Sequence, residues 1–409
     1  MDDRPALYVG IDVGKRWHQA AFIGPDGHDS AKPLRFANTA EGYAAFKGRL
    51  EAAVRGGRVR IALEATGHYW MALYQRLNDD GHEVVVFNPM QTHAFTNTSI
   101  RGAKTDRVDA RRIAQLLRQE QLPATVKPDE DLVALRELTR LRSRLAGRLA
   151  EDKNRLLGTL DRAFPEYEAV FGDVFGVASL ALLKEYPLPA LIAGLDVGRL
   201  TELLFQASRR HLGREKAEQV HAAARTSFGL RMAHDVLAQE VRLHVQSIEF
   251  LEGQTKQLDS QIRGILTAEQ ELLATIPGIG PVVAATILAE LGDVTRFAGA
   301  KDPAKAVVAV AGIDPKPADS GQRAGYRRMS KRGSPYLRQA FYQAAFAAWQ
   351  HDAMLGALYR KKLAEGKPHR VALNAVANKL CHIVYACLRD RRPYEARDPA
   401  PKCASDLVN

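Results

Sequence analysis

Leu237, Val241, His244, Ile248, Leu251, Thr255, Leu258, Ile262 and Ile265 step four, three, four, three without a break. A seam this narrow, repeating every seven residues, demands a long helix wound against a partner helix. A second run, Leu132, Leu135, Leu138, Leu141, Leu145 and Leu149, recurs at three and four with arginines between. The two helices are expected to pair with each other, with a second copy, or both. His244 and Thr255 sit at seam positions, where polar residues either fix the register or are tolerated at a wet seam. Residues 165–230, between the runs, are broken by Pro165, Gly172, Pro187, Pro189 and Gly194 and read as a small helical insert without assignable chemistry.

Charge is uneven along the chain. Residues 1–128 hold 18 basic and 14 acidic side chains (+4), residues 129–274 hold 19 and 22 (−3), and residues 275–409 hold 21 and 11 (+10). The sum, +11, argues for a polyanionic partner such as nucleic acid, with the contact concentrated in the C-terminal third. Cys381, Cys387 and Cys403 form neither a CxxC pair nor a disulfide framework, so reduced thiols in a cytoplasmic protein are expected. Cys381, His382 and Cys387 fall on an apolar helix and read as core residues rather than zinc ligands. No uninterrupted apolar run reaches membrane-spanning length, and the first residues are not a signal peptide.

In the first third, apolar strands alternate with helices, which implies an α/β sheet covered on both faces. Leu7 to Gly14 reads as a buried strand ending at Asp12, with Trp17 to Ile23 as its hairpin partner. Asn38-Thr-Ala-Glu41 has the pattern of a capping box opening a helix to about Val54. Val59 to Gly67 is a second buried strand, delivering Glu64 at its end, and a helix (Tyr69 to Leu77) and a strand (His82 to Phe87) follow. Asp106 and Asp109 then open an amphipathic helix and share one face of it. Arg101, Lys104, Arg107, Arg111 and Arg112 surround the two acids. Alone, they fit the bland reading of acids complementing a helix dipole. With Asp12 and Glu64 they fit a site for two Mg2+ ions about 3.5–4 Å apart, with Mn2+ as a substitute, suited to phosphoryl transfer. Strand-end acids in this order resemble the RNase H-like, RuvC-type nuclease fold. Val9 to Lys15 also resembles the first phosphate loop of actin-like sugar kinases, but the second Asp-x-Gly turn and the adenosine loop are missing.

In the last third, Ile276-Pro-Gly278-Ile-Gly280-Pro281 before the apolar helix Val282 to Leu291 matches a helix-hairpin-helix element. Gly278 and Gly280 would let backbone N–H groups approach a phosphate, although such a turn also serves simply to pack two helices. From Lys316 to Arg338 the chain has seven basic residues and one acid, spaced by Gly and Ser. That is the composition of a phosphate-binding loop, with Arg323, Arg327, Lys331 and Arg332 as candidate contacts alongside Lys104. Ser320, Ser330 and Ser334 are candidate nucleophiles that the residues alone do not separate.

Taken together, Asp12, Glu64, Asp106 and Asp109; Ile276 to Gly280; Ala311-Gly-Ile-Asp-Pro315; Ser320-Gly321; Ser330-Lys-Arg-Gly333; and Leu337-Arg338 resemble the DEDD transposases of bacterial insertion sequences, the "one-ten" family that includes the pilin-gene invertases. The resemblance spans about residues 7 to 350, and residues 165–230 exceed what compact members need. It implies a RuvC-like catalytic domain (1–125), a helical coiled-coil linker (126–268), a C-terminal transposase domain with the helix-hairpin-helix and serine loop (269–395) and a tail (396–409). It further implies Mg2+ held by the four acids, Ser320 as the nucleophile that forms a transient phosphoserine bond, and a homo-oligomer, dimer or tetramer. DNA would be the substrate and a structured bridge RNA the guide, in the cytoplasm of a bacterium or archaeon at the nucleoid, with no membrane partner. The competing readings are a Holliday-junction resolvase using water as nucleophile and a non-catalytic nucleic-acid scaffold.

Overall fold

Two compact units divide the chain, residues 1–127 and 128–409. The computed structural model describes residues 5–54, 57–65, 67–87, 105–119, 130–265, 268–315, 319–320, 323–324 and 329–396. The first unit is a five-stranded sheet in the order β3-β2-β1-β4-β5. Its strands are β1 (Leu7–Asp12), β2 (Trp17–Ile23), β3 (Asp29–Ala37), β4 (Val59–Glu64) and β5 (Glu83–Phe87). β1, β4 and β5 run parallel, while β2 is antiparallel to both β1 and β3.

Alternation along the central strands sends Val9, Ile11, Ile61 and Leu63 to one face, where α1 (Ala40–Ala53) and α2 (Trp70–Asp79) bury Phe46, Leu50, Leu73 and Leu77 on them. Tyr8, Ala62, Val85 and Phe87 face the other way, onto Ile113, Ala114, Leu116 and Leu117 of α3 (Asp106–Arg118). β3 escaped the sequence reading because it is polar and carries Pro33, which only an edge strand tolerates. The cap of α1 also shifts by one residue. Thr39, not Asn38, accepts the N–H of Gly42, at 3.2 Å.

Gly10 sets how close α3 lies. A Cβ there would stand 2.2 Å from both the Ala110 carbonyl oxygen and the Ala114 amide nitrogen, so the helix backbone rests directly on the strand. Gly10→Ala must push α3 away, and chemical denaturation is expected to show a loss of roughly 3 kcal/mol.

In the second unit, α4 (Glu130–Ala163) and α10 (His234–Gly264) run antiparallel, as the ion pairs Arg142–Asp259 (2.7 Å), Lys153–Glu252 (2.8 Å) and Arg162–Glu240 (3.1 Å) fix. The expected seam is this contact, with Leu237, Val241, Ile248, Leu251, Leu258 and Ile262 buried. Its two polar positions differ. His244 reaches across to Asp152 at 3.5 Å, whereas Thr255 turns back to the Leu251 carbonyl of its own helix.

Five short helices intervene: α5 (Tyr167–Phe171), α6 (Val177–Glu185), α7 (Pro189–Ala193), α8 (Val197–Ala207) and α9 (Arg214–Arg225). Their core is continuous with Leu156 and Leu160 of α4 and Val241, Val245 and Ile248 of α10, so the insert thickens one end of the helix pair.

The remainder is α11 (Ala268–Ala274), α12 (Pro281–Leu291), α13 (Pro303–Ala311), the short β6 (Asp319–Ser320) and β7 (Arg323–Ala324), α14 (Pro335–His351), α15 (Ala353–Ala364) and α16 (His369–Asp390). Among the described residues α16 alone is long and apolar enough to cross a membrane, with Asn374, Asn378, Lys379 and His382 interrupting its apolar run. Here it is a core helix, burying Leu373, Val376, Leu380 and Val384 within the largest apolar cluster. Cys381 and Cys387 are buried in it too, and burial pushes both thiols up, as core cysteines should behave.

Candidate active site

β1 and β4 pair in parallel with Ile11 opposite Leu63, so the next register position sets Asp12 beside Glu64 at the C-terminal ends of both strands. Both follow Tyr8 and Ala62 by even steps and therefore project to the α3 face. The direction of α3 follows from its contacts. Ala110 and Ala114 lie on Gly10, and Arg118 Nη1 donates to the Pro25 carbonyl (3.2 Å), just past Ile23, which pairs with Tyr8 near the start of β1. The helix thus runs antiparallel to β1, and its first turn, with Asp106 and Asp109, lies toward the strand end that carries Asp12.

The four acids are gathered at one end of the sheet, yet they do not form a ligand cluster. Among the described residues, no three Asp, Glu, His or Cys side chains stand as a metal-ligand group. Asp109 Oδ1 is held by Arg112 Nη1 at 3.1 Å, Asp106 is exposed, and Asp12 and Glu64 each engage neighbouring groups. Hard carboxylate oxygens on three separate elements suit Mg2+ in kind. Release of Asp109 from Arg112 is the rearrangement such a site would require.

His18 was not singled out from sequence. It is buried in β2 and accepts the Gly14 N–H at Nδ1 (3.3 Å), bracing the turn that leaves Asp12. Burial lowers its pKa, which keeps the ring neutral and able to accept.

In the second unit, α11 and α12 flank the turn holding Gly278 and Gly280. Gly278 has φ +84, and a Cβ on it would meet the Ala344 carbonyl oxygen of α14 at 2.4 Å. Its glycine therefore serves close packing. Gly280 is exposed and opens α12 with no side-chain cap.

Ala311-Gly-Ile-Asp-Pro315 and Ser330-Lys-Arg-Gly333 prove to be the two sides of one neck. Pro315 bridges Met329, and Ser330 N–H donates to the Asp314 carbonyl (2.8 Å), Lys331 N–H to Gly312 (3.0 Å) and Ser334 N–H to Val310 (2.8 Å). Gly312 and Gly333 lie backbone to backbone, since a Cβ on Gly312 would stand 2.6 Å from the Gly333 nitrogen, and one on Gly333 would stand 1.9 Å from the Val310 carbonyl oxygen. Beyond the neck, Ser320 pairs with Arg323 across the β6–β7 hairpin. Lys331, at φ 53, and Arg332 are exposed at the neck. Lys104 and Arg327 lie outside the described residues.

Ser330 and Ser334 are both engaged through their hydroxyls. Ser330 Oγ donates to Asp314 Oδ1. Ser334 Oγ donates to Glu290 Oε2 (2.8 Å) while capping α14 by accepting the Leu337 N–H (3.2 Å). Glu290 itself is buried in α12 and takes a two-pronged contact from Arg140 of α4, at 2.6 and 3.0 Å. Glu290→Ala would strand Arg140 and loosen the Ser334 cap. Since Arg140 is a third exposed, a loss of about 3 kcal/mol in unfolding free energy is expected, and Glu290→Gln should lose less.

Residues 9–165 match the DEDD transposase model named for IS110, and residues 270–360 match the model described as Transposase IS116/IS110/IS902 family. The chain is 29% identical to the insertion element IS116 protein of Streptomyces clavuligerus, over 97% of this chain and 98% of that one. It is 26% identical to the insertion element IS110 protein of Streptomyces coelicolor, over 96% of both. It is 22% identical to the pilin gene-inverting protein of Moraxella bovis, over 95% of this chain and 98% of that one. Two family models in order, with full-length likeness to both element proteins and an invertase, settle the family: the chain belongs to the IS116/IS110/IS902 transposases, enzymes of DNA strand transfer.

Proposed function

We propose that this chain cuts and rejoins the DNA of an insertion element with Asp12, Glu64, Asp106 and Asp109 as Mg2+ ligands, Ser320 as nucleophile and a structured RNA as guide. The observation that carries the proposal is the register that sets Asp12 beside Glu64 on adjacent parallel strands, with the first turn of α3 directed to the same strand ends. The strand order, two antiparallel strands beside three parallel ones, supports an RNase H-like, RuvC-type sheet. The α11–turn–α12 pair supports a helix-hairpin-helix, with the exposed Gly280 as its phosphate-facing member.

Bound Mg2+ would stabilise the attacking and leaving oxygens of an in-line displacement. Ser320 Oγ attacks the phosphorus, the P–O bond to the leaving DNA hydroxyl breaks, and that hydroxyl takes the proton. A second DNA hydroxyl then displaces the serine, so the phosphodiester energy is kept without ATP. Arg323, Arg327, Lys331, Arg332 and Lys104 neutralise phosphates, and base pairing with the guide RNA selects the sequence.

Purification from the native host with RNA retained tests the guide. A discrete small RNA should copurify, and its removal should abolish strand transfer between the element's ends and target DNA. Undiminished transfer by RNA-free protein would overturn RNA guidance.

A further inference from the structure

The register of the sheet places an aromatic ring at the acid end. Asp12 of β1 stands opposite Gln19 of β2, and Gln19 stands opposite Arg35 of β3. Directly opposed residues share a face, so Asp12, Gln19 and Arg35 form one row on the α3 side of the sheet. Trp17 precedes Gln19 by two residues and projects to that same side. It is therefore a diagonal neighbour of Asp12, about 7–8 Å away along the backbone grid. Arg35 is its diagonal neighbour on β3, and the guanidinium lies over the indole, 5.0 Å from the ring centre.

Trp17 is 50% exposed, and among the described residues of the first unit no other large hydrophobic side chain is so open. Single exposed hydrophobics are ordinary surface. The placement of this one, one pleat from a candidate catalytic carboxylate, is what gives it a use. The turn that carries it is also held in shape. Asn38 N–H donates to the Arg16 carbonyl (2.9 Å) and the Asn38 side-chain amide to the Lys15 carbonyl (3.4 Å). A Cβ on Gly14 would stand 2.7 Å from the Trp17 carbonyl oxygen, so the turn is closed on itself.

The chemistry of the corner selects its ligand. Lys15 and Arg16 are exposed on the turn and Arg35 is exposed beside it, so three cations accompany one open ring. Cations take phosphates and an aromatic face takes a base, the pairing by which proteins hold single strands. A base inside a duplex has both faces covered by its neighbours, so only an unpaired one can lie on the indole.

We propose that Trp17 stacks an unpaired base of the DNA strand being cut, at the nucleotide next to the phosphate that Asp12 faces. Arg35 steadies the ring from one side, and Lys15 and Arg16 neutralise the phosphates that flank the stacked nucleotide. The location of that nucleotide rests on the four-acid reading of the active site, whereas the stack itself is read by binding without any cutting.

The test is a binding cycle on the full chain with Ca2+ in place of Mg2+. The probe is a forked DNA of the element's end, made abasic one nucleotide at a time around the cut. Trp17→Ala is expected to weaken binding of the intact fork by about ten- to a hundredfold with unchanged circular dichroism, and Trp17→Phe to keep most of the affinity. Removing the base next to the cut should weaken wild-type binding by a similar factor and cost Trp17→Ala nothing more. Wild-type affinity in folded Trp17→Ala, or penalties that simply add at every abasic position, overturns the stack. Strand transfer by Asp12→Asn bears on the metal site alone, so the two readings fail separately.

Discussion

Asp12→Asn is expected to lower Mg2+-dependent strand transfer on the order of a thousandfold while leaving the fold and nucleic-acid binding intact. The backbone of Asp12 is held in the ladder opposite Gln19 of β2, and asparagine keeps the side-chain shape, so only the charge is lost. Glu64→Gln, one strand over, should behave alike. Asp106 separates this reading from the bland one. If it only complements the dipole of α3, Asp106→Asn costs roughly 0.3–1 kcal/mol of stability and nothing in rate. If it serves the reacting phosphate, the rate falls with almost no change in melting temperature. Strand transfer measured against Mg2+ concentration, beside a thermal melt of each variant, reads both quantities. Full activity in Asp12→Asn would overturn the four-acid metal site.

The ends of β1 and β4 were legible because a run of apolar residues closing on a carboxylate is a local signal, and so was the long helical pairing, because its seam repeats. What the sequence concealed was non-local. Gly10 reads as one residue of a buried strand and Gly278 as a phosphate-facing turn glycine, but each lies under a helix more than sixty residues away, and no local pattern encodes that approach. His244 and Thr255 are both polar residues at seam positions. Only the placement of Asp152 on the opposing helix makes one a cross-link and leaves the other bonded to its own backbone. The basic run after Lys316 read as one loop, yet Ser330 to Gly333 is half of a neck whose other half begins at Ala311. Arg112 over Asp109 is an i,i+3 pair visible in the sequence, and its consequence, a candidate ligand held by a cation, emerges only once the first turn of α3 is directed toward the strand end that carries Asp12.

Ser320→Ala is expected to abolish the covalent protein–DNA adduct that denaturing gels would reveal after reaction with end-labelled DNA, and strand transfer with it. Ser330→Ala and Ser334→Ala should each retain the adduct and lose about 1 kcal/mol of stability, because their hydroxyls tie the neck to Asp314 and α14 to Glu290. The contrast has force because Ser330 and Ser334 each donate to a carboxylate, and a carboxylate that accepts a hydroxyl proton is a general base in waiting. An adduct that survives Ser320→Ala and vanishes in Ser330→Ala would move the nucleophile to Ser330, with Asp314 as its base. Cutting that persists in all three variants without any adduct would make water the nucleophile and the protein a resolvase. The neck favours the first outcome. Its backbone bonds at Val310, Gly312 and Asp314 fix the base of the loop on both sides, whereas Ser320 stands beyond it in a two-residue ladder with Arg323. A hydroxyl that must reach a phosphate belongs on the part of the loop that the neck presents, and the hydroxyls inside the neck are needed where they are.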